Sequence, residues 1–330
     1  MDTEVNPLPF ALGWVFSDMK TDYQTLQARR LNEWEREELF LEASPFFHLY
    51  TSPVEDVVLI RNDVSRGIAI SYMAIAALER GVKIDAYAIM SNHFHFILQG
   101  TMDKVQSFYH LFRHLLDVYL ARSEKIKVFK NVEAGLTEIT SLRQYRDEVA
   151  YVLRNPFVVR TDVNIMANEM TSAHLYYTPY RSSNGLKAKD LTVQQKRTLL
   201  KSGALTLPEE WYIVDNHVDP VSFVDYPMVE SLFAHARQFV YSLLKNVEAQ
   251  IEIAISHGET PVIPDEELLK KAFMICNKRY HQKGPSALTT IQKKELAAQL
   301  HKEYYASAAQ LARVTGLPPK ELEAMFPKAQ

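Results

Sequence analysis

The sequence predicts an α+β fold, in which a four-stranded antiparallel sheet with helices is followed by a largely α-helical C-terminal region. Two observations lead to this prediction. Residues 46–129 show strand-like and helix-like patterns in the order strand, helix, strand, strand, helix, strand, and the chain from residue 264 onward is almost entirely helical in pattern. The 330 residues are about twice the length expected of one domain, so the chain has room for two cores.

The elements of the first half follow from local patterns. Residues 46–51 form an aromatic-rich run closed by Pro53, which predicts a strand. Residues 63–80 carry apolar side chains at helical spacing and precede Gly81, which predicts a helix. Further strands are predicted over 82–90, 93–99 and 126–129, and further helices over 103–123 and 141–154. This order is that of the ferredoxin-like split βαβ arrangement, which has two helices on one face of the sheet.

The chain divides into four parts in this interpretation. Residues 1–45 form an N-terminal helical extension, and 46–183 form the sheet domain. Residues 184–263 form a connecting region of mixed pattern for which the sequence predicts no fold. Residues 264–330 form a helical tail, whose stretch 307–326 has two short helices around Gly316, the outline of a helix-turn-helix.

Composition excludes several classes of protein. With 47% apolar and 23% charged residues, the chain is neither disordered nor fibrous. Its single cysteine, Cys276, can form no internal disulfide, which suits a reducing compartment. The longest apolar run, 68–78, is too short for the ~20 residues of a membrane span, and the chain starts without a basic and apolar leader. We therefore expect a cytoplasmic protein that does not contact membranes.

Charge is unevenly distributed along the chain. The net charge is −3, yet Lys and Arg exceed Asp and Glu by four over 104–160 and again by four over 265–330. Solvated helix faces produce such excesses often. If a polyanion binds this protein, these two segments are where we expect it to bind.

Four residues form the candidate reactive constellation. His93 and His95 are two apart on a predicted strand, so they project from one face and form a half-site for a divalent cation. Tyr151 and Asn155 are one helical turn apart, although Asn155 is expected at the fraying end because Pro156 disfavours helix in the residue before it. Asn155 could supply a third, oxygen ligand.

Tyr151 would then stand beside the cation. A phenol is a poor nucleophile at neutral pH, but it can attack phosphorus if a metal stabilises the charge that gathers on the phosphate oxygens. Each assignment has a plainer alternative. The histidines could be two half-exposed polar positions of a strand, and Tyr151 could be a core aromatic packed on the sheet.

These residues also carry a family resemblance. Residues 85–98, with their Asn-His-Phe-His-Phe run, resemble the HUH (His-hydrophobic-His) segment of the IS200-like, single-tyrosine transposases. Residues 151–160 resemble the tyrosine helix of that family, and the four-residue spacing from Tyr151 to Asn155 is similar to that of its REP-associated tyrosine transposase branch. The resemblance extends from residue 46 to about 183. Ser91 and Phe157 depart from it, standing where the family usually has Pro and Val.

The resemblance implies an HUH nuclease core that cleaves and rejoins single-stranded DNA. Tyr151 would be the nucleophile, forming a 5′-phosphotyrosine link and releasing a 3′-hydroxyl. His93, His95 and Asn155 would hold a divalent metal, Mg or Mn. The expected partner is single-stranded DNA or hairpin DNA formed by repeats, bound by a monomer or homodimer in a bacterial-type, nucleoid-associated setting. Candidate DNA contacts are Arg113, Arg122, Lys125, Lys127, Lys130, Arg154, Arg313 and Lys320.

Two other functions fit parts of the sequence. A non-catalytic or domesticated DNA-binding regulator would use the same fold and the helix-turn-helix-like tail, although Glu321 and Glu323 on the second tail helix would repel phosphate. That tail could instead be a purely structural cap. An RNA-recognition module would need Phe94 and Phe96 exposed on the sheet for base stacking, whereas helices over that face would make them core residues.

Overall fold

The structure is a computed structural model that describes residues 31–53, 57–127, 129–159, 166, 169–178, 184–201, 206–245, 251, 253–255 and 265–326. Most of the predicted N-terminal extension, residues 1–30, and the stretch 180–183 that enters the family resemblance lie outside these ranges. Among the described residues, no helix combines the length and the apolar character needed to cross a bilayer.

The first half is built on a four-stranded sheet in which every neighbouring pair of strands is antiparallel, as predicted. The strand order is β2-β3-β1-β4. The strands are β1 (Phe46–Thr51), β2 (Lys83–Ile89), β3 (Phe94–Gln99) and β4 (Ala134–Ile139). The helices of this half are α1 (Glu33–Ala43), α2 (Asp63–Arg80), α3 (Met102–Tyr119) and α4 (Leu142–Val159).

Helix α2 begins and ends where its sequence indicates. The side chain of Asn62 accepts a hydrogen bond from the amide of Ser65, and Ser65 Oγ accepts one from the amide of Asn62, which is a capping box. Gly81 ends the helix at φ +62°, a left-handed conformation that favours glycine. The apolar run 68–77 between these caps is buried, so it belongs to the core.

The two faces of the sheet are covered by different helices. On one face, Phe94 and Phe96 of β3 pack against Phe108 and Phe112 of α3, with ring centroids 5.4–5.6 Å apart for the three closest pairs. Helix α3 in turn packs along α2. On the other face lies α4, which contacts β2, β3 and β4. Since alternate residues of a strand face opposite ways, His95 of β3 faces α4.

We expect Phe94→Ala to lower the free energy of unfolding by about 3–5 kcal/mol, because the change leaves a cavity among the rings of α3. Val64→Ala, at an exposed position of α2, serves as the control and should change it by less than about 0.5 kcal/mol. Urea unfolding followed by circular dichroism measures both. A loss below about 1 kcal/mol for Phe94→Ala would contradict this description of the core.

The prediction of a strand over residues 126–129 is wrong. The amide of Ile126 bonds to the carbonyl of Leu120 at the end of α3, and Phe129–Asn131 forms a 3-10 turn. Phe129 is buried against Phe94 and Phe112, so its ring acts as a core side chain held by a turn. The fourth strand is β4, an edge strand with mostly half-exposed residues, which therefore lacks the apolar alternation that identifies a strand in a sequence.

The prediction that the tyrosine helix ends before Asn155-Pro156 is also wrong. Helix α4 continues through Pro156 to Val159. Proline cannot donate a hydrogen bond to the carbonyl of Val152, and it disfavours helix at Asn155, but neither effect forbids the helix. Contacts between the Asn155 side chain and two histidines favour the helical position. Asn155 therefore lies inside a regular helix.

The second half of the chain contains a small sheet and further helices. The sheet has the order β5-β6-β7 and consists of β5 (Leu186–Lys187), β6 (Tyr212–Val214) and β7 (His217–Val218). The helices beside it are α5 (Val193–Leu200), α6 (Tyr226–Leu232) and α7 (Ala236–Lys245). No fold is predicted for this region because its elements are short and its strands have two or three residues, too few to show a period.

The C-terminal region is mostly helical, as predicted. Its helices are α8 (Asp265–Tyr280), α9 (Thr290–Tyr304), α10 (Ala308–Thr315) and α11 (Pro319–Met325). They share a separate core that includes Leu268, Leu296, Leu311 and Leu322. The two short tail helices predicted over 307–326 are α10 and α11, and Gly316 ends α10 at φ +70°.

Candidate active site

One face of α4 carries the polar and aromatic side chains that meet the sheet. Tyr145, Glu148, Tyr151 and Asn155 follow one another at intervals of three, three and four residues, so they lie on one side of the helix. Opposite them are the side chains of β1, β2 and β3 that face α4. The continuous helix thus presents Tyr151 and Asn155 to the histidines of β3 from a rigid element.

The two histidines and Asn155 converge. Nε2 of His93 lies 3.3 Å from Oδ1 of Asn155, and Nε2 of His95 lies 3.1 Å from Nδ2 of the same side chain. The imidazole rings of His93 and His95 are 5.0 Å apart. The predicted meeting of these three side chains is therefore present in the structure.

This donor set fits a small divalent cation. Two ligand atoms at right angles around an ion that binds at about 2.1 Å are separated by about 3.0 Å, close to the 3.3 Å between Nε2 of His93 and Oδ1 of Asn155. Nε2 of His95 faces Nδ2, the donor group of the same amide, so the 3.1 Å between them does not join two ligand atoms. Two imidazoles and an amide oxygen suit Mn or Mg, with water completing the coordination shell. Among the described residues, no group of three or more His, Cys, Asp or Glu side chains is arranged to hold a metal. The third donor here is an amide.

Burial lowers the pKa of the His93 imidazole below its ordinary value, and the hydrogen bond with Asn155 opposes this change in part. A lowered pKa keeps the ring neutral near pH 7. Neutral imidazole has a nitrogen lone pair, which is the group that binds a cation.

Tyr151 lies beside the histidines. Its ring centroid is 5.7 Å from that of His95 and 5.9 Å from that of His48 on β1. The residue is only 7% exposed, because Ile253 and Ala254 of the second half pack against it. The predicted proximity to the histidines is present, and access of a substrate to the phenol requires that cover to move.

His48 and Glu148 belong to the same cluster, and neither was among the predicted site residues. Nδ1 of His48 lies 2.7 Å from Oε2 of Glu148, and Nε2 of His48 lies 3.1 Å from Nδ1 of His95. One sequence signal was available for Glu148, which precedes Tyr151 by three residues and Asn155 by seven on one helical face. For His48 the only signal is its alternation with Phe46 and Tyr50 along β1.

Tyr50 borders the cluster beside His48 and projects from the same face of β1. Its ring is 5.4 Å from that of His48 and lies across Gly135, its partner on β4. A Cβ at position 135 would come within 2.3 Å of the Tyr50 ring. Glycine at 135 therefore allows Tyr50 to sit where it does.

The predicted DNA contacts of the middle segment lie at the end of α3 and in the turn that follows. Arg122, Lys125, Lys127 and Lys130 are exposed. Arg113 bonds to the carbonyl of Val132 and pairs with Glu133 at 2.9 Å. The four exposed cations flank Phe129, whose ring packs on Phe94 on the face of the sheet that α3 covers.

The other predicted DNA contacts have varied surroundings. Arg154 is 1% exposed, and its Nη2 lies 2.6 Å from Oε2 of Glu267 on α8. Its Nε and Nη1 have no hydrogen-bond partner within the described part of the chain. Arg313 is paired with Asp265, whereas Lys320 of α11 is exposed. In this arrangement Arg154 does not face solvent.

The RNA-recognition alternative requires aromatic residues on an open sheet face. Phe94 and Phe96 are instead fully buried under α3. They cannot stack on bases without loss of the core, so the structure contradicts that alternative.

Comparison with known proteins assigns no function to this chain. No protein-family model matches the chain, and no curated protein matches it. Among solved structures, the chain is similar to a REP-associated tyrosine transposase bound to a REP hairpin, with 14% sequence identity and a TM-score of 0.32. The match covers 40% of this chain and 78% of the other. Function must therefore be inferred from the side chains of the site.

Proposed function

We propose that this protein cleaves and rejoins single-stranded DNA through a phosphotyrosine intermediate. The observation that carries the proposal is the convergence of His93, His95, Asn155 and Tyr151 between β3 and α4. The strand order β2-β3-β1-β4, with α2 and α3 on one face, also supports the ferredoxin-like arrangement expected of an HUH core.

His93, His95 and Asn155 would hold a divalent cation, Mg or Mn. When bound, such a cation polarises a phosphate oxygen and offsets the charge that develops during phosphoryl transfer. The neutral state favoured for His93 and the rigid helical position of Asn155 both serve ligation. The burial of His93 and His95 limits the competition of bulk water for these ligands.

Tyr151 would attack the scissile phosphorus. A bond forms between the phenolic oxygen and phosphorus while the bond from phosphorus to the 3′ oxygen breaks, and the phenol proton is lost as the departing 3′ oxygen gains one. The 5′ phosphate stays linked to Tyr151. Because one phosphodiester replaces another, attack by a 3′-hydroxyl can reverse the step without an external energy source.

The substrate we propose is a single strand beside a hairpin. The exposed cations Arg122, Lys125, Lys127 and Lys130 would neutralise backbone phosphates. Lys320 of the helix-turn-helix-like tail would add a second contact to duplex DNA. Arg154, whose Nε and Nη1 have no hydrogen-bond partner among the described residues, would contact phosphate only after Glu267 is displaced.

The proposal is tested by incubating the full chain with Mn²⁺ and end-labelled oligonucleotides that fold into hairpins with single-stranded flanks. We expect a labelled band that survives denaturation and migrates with the protein, formed only when the cation is present. The oligonucleotide set should vary the flanking sequence. If no member of the set is cleaved or attached under conditions in which it binds, the catalytic proposal fails.

The second candidate function is a non-catalytic DNA-binding regulator. One observation favours it, namely the burial of Tyr151 under Ile253 and Ala254. If this cover is permanent, the phenol never meets DNA. DNA binding without any covalent adduct, in wild type and in a variant with the cover opened, would support this function over the catalytic one.

We expect Ile253→Ser to raise the rate of adduct formation several-fold, because the smaller polar side chain weakens the apolar contact that covers Tyr151. Ile255→Ser, two residues along at an exposed position, is the matched control and should leave the rate unchanged. Single-turnover measurements compare the variants. An equal rate for Ile253→Ser and wild type would show that the cover does not limit cleavage.

A further inference from the structure

A buried chain of hydrogen-bonding groups runs from α4 through β1 to β3. Oε2 of Glu148 is 2.7 Å from Nδ1 of His48, and Nε2 of His48 is 3.1 Å from Nδ1 of His95. His48 and His95 are 0% exposed and Glu148 is 2% exposed. Nε2 of His95 then points to Asn155, at the proposed cation site.

The sequence of donors and acceptors in this chain determines which ring nitrogen of His48 and of His95 carries a proton. A carboxylate only accepts hydrogen bonds, so Nδ1 of His48 carries the proton that is donated to Glu148. In a neutral ring Nε2 of His48 is then an acceptor, and Nδ1 of His95 must donate to it. The proton of His95 thus resides on Nδ1, and Nε2 retains its lone pair.

We propose that Glu148 and His48 are positioning residues that fix the tautomer and orientation of His95, so that its Nε2 is presented to a divalent cation. This inference rests on the proposed metal site. Ligating histidines generally have the other ring nitrogen hydrogen-bonded, which sets the tautomer and raises the basicity of the ligand atom. Here a second histidine stands between the carboxylate and the ligand.

The pair Glu148 and His48 contacts the ring of His95 and not that of His93, so it positions one of the two histidines. His93 has a different partner at Nδ1, the side chain of Asn92, at the half-exposed start of β3. His95 lies in the sheet interior, where water cannot supply the partner at Nδ1. Without His48, Nδ1 of His95 loses its acceptor and the tautomer is held less firmly, by the Nδ2 group that Asn155 directs at Nε2. The form protonated at Nε2 cannot bind a metal.

His48→Phe tests the role of the pair, because phenylalanine keeps a ring in the sheet but offers no acceptor to His95. Removal of such an outer partner typically weakens metal binding by about 10–100-fold. We expect this loss of Mn²⁺ affinity for His48→Phe. Glu148→Gln should lose less, since its amide oxygen can still accept from Nδ1 of His48.

Tyr145→Phe is the matched control. Tyr145 lies one turn before Glu148 on α4, and its hydroxyl donates to the buried carboxylate of Asp85 at 2.7 Å. This change also removes a buried hydrogen bond to a carboxylate on the same helix, but no contact to the histidines. We expect it to lower stability and leave Mn²⁺ affinity unchanged, which separates positioning from loss of structure.

Two measurements on the full chain decide the question. Calorimetric titration with Mn²⁺ gives the affinities, and ¹⁵N NMR of labelled histidine without metal gives the tautomer of His95. We expect wild type with the proton of His95 on Nδ1, and a larger share of the Nε2-protonated form in His48→Phe. An Nε2-protonated His95 in wild type, or equal affinities of wild type and His48→Phe, would overturn the inference. A wild type that binds no Mn²⁺ would instead overturn the proposed metal site, and the NMR result would still decide the tautomer.

Discussion

Tyr151→Phe is expected to abolish the covalent protein-DNA adduct, lowering its rate of formation by at least about a thousandfold, the order lost when a covalent nucleophile is removed. The change deletes only the phenolic oxygen. The ring can keep its contacts with His95 and with Ile253, so folding should be preserved. The measurement is the denaturing-gel assay with Mn²⁺ and a labelled hairpin oligonucleotide.

A second tyrosine beside the histidines provides the control for this experiment. The ring of Tyr50 is 5.4 Å from that of His48 and 6.5 Å from that of His95, so Tyr50 is a second phenol near the proposed cation. We expect Tyr50→Phe to form the adduct. An adduct that persists in Tyr151→Phe and disappears in Tyr50→Phe would transfer the nucleophilic role to Tyr50, and one that persists in both would exclude this site.

His93→Ala is expected to lower the cleavage rate by about 10²–10⁴-fold, because a bound metal contributes several kcal/mol of charge stabilisation and each 1.36 kcal/mol is a factor of ten. The same variant should also bind Mn²⁺ more weakly. His93 is a better choice than His95 for this test, because it lies outside the hydrogen-bonded chain of Glu148, His48 and His95. Its replacement therefore removes a ligand without disturbing that chain. Calorimetry and single-turnover cleavage give the two values.

His110→Ala is the matched control for this ligand variant. His110 is an exposed histidine of α3, on the face of the sheet opposite the site. Its removal should change neither Mn²⁺ affinity nor cleavage. Full cleavage activity in His93→Ala with normal metal dependence would show that the cation is held elsewhere, and the proposed donor set would be wrong.

Local patterns predicted much of the fold because they reflect strong local preferences. The helix Asp63–Arg80 has both of its caps in the sequence, and the β2-β3 hairpin has two adjacent runs with turn residues between them. The predictions that were wrong concern segments whose conformation depends on packing against residues far away in the sequence. Phe129 fills a space in the core although it lies in a turn. Helix α4 continues through Pro156 because the contacts of the Asn155 side chain outweigh the local preference of a residue before proline for a non-helical conformation.

The sequence by itself identified four candidate site residues, because each pair is close along the chain: His93 with His95 by strand alternation, and Tyr151 with Asn155 by one helical turn. The tertiary structure decided how these pairs meet and what surrounds them. His48 lies 47 positions along the sequence from its partner His95, Glu148 lies 100 positions from its partner His48, and Ile253 lies 102 positions from Tyr151. No local period relates residues so far apart, so only the packing of α4 on the sheet reveals them.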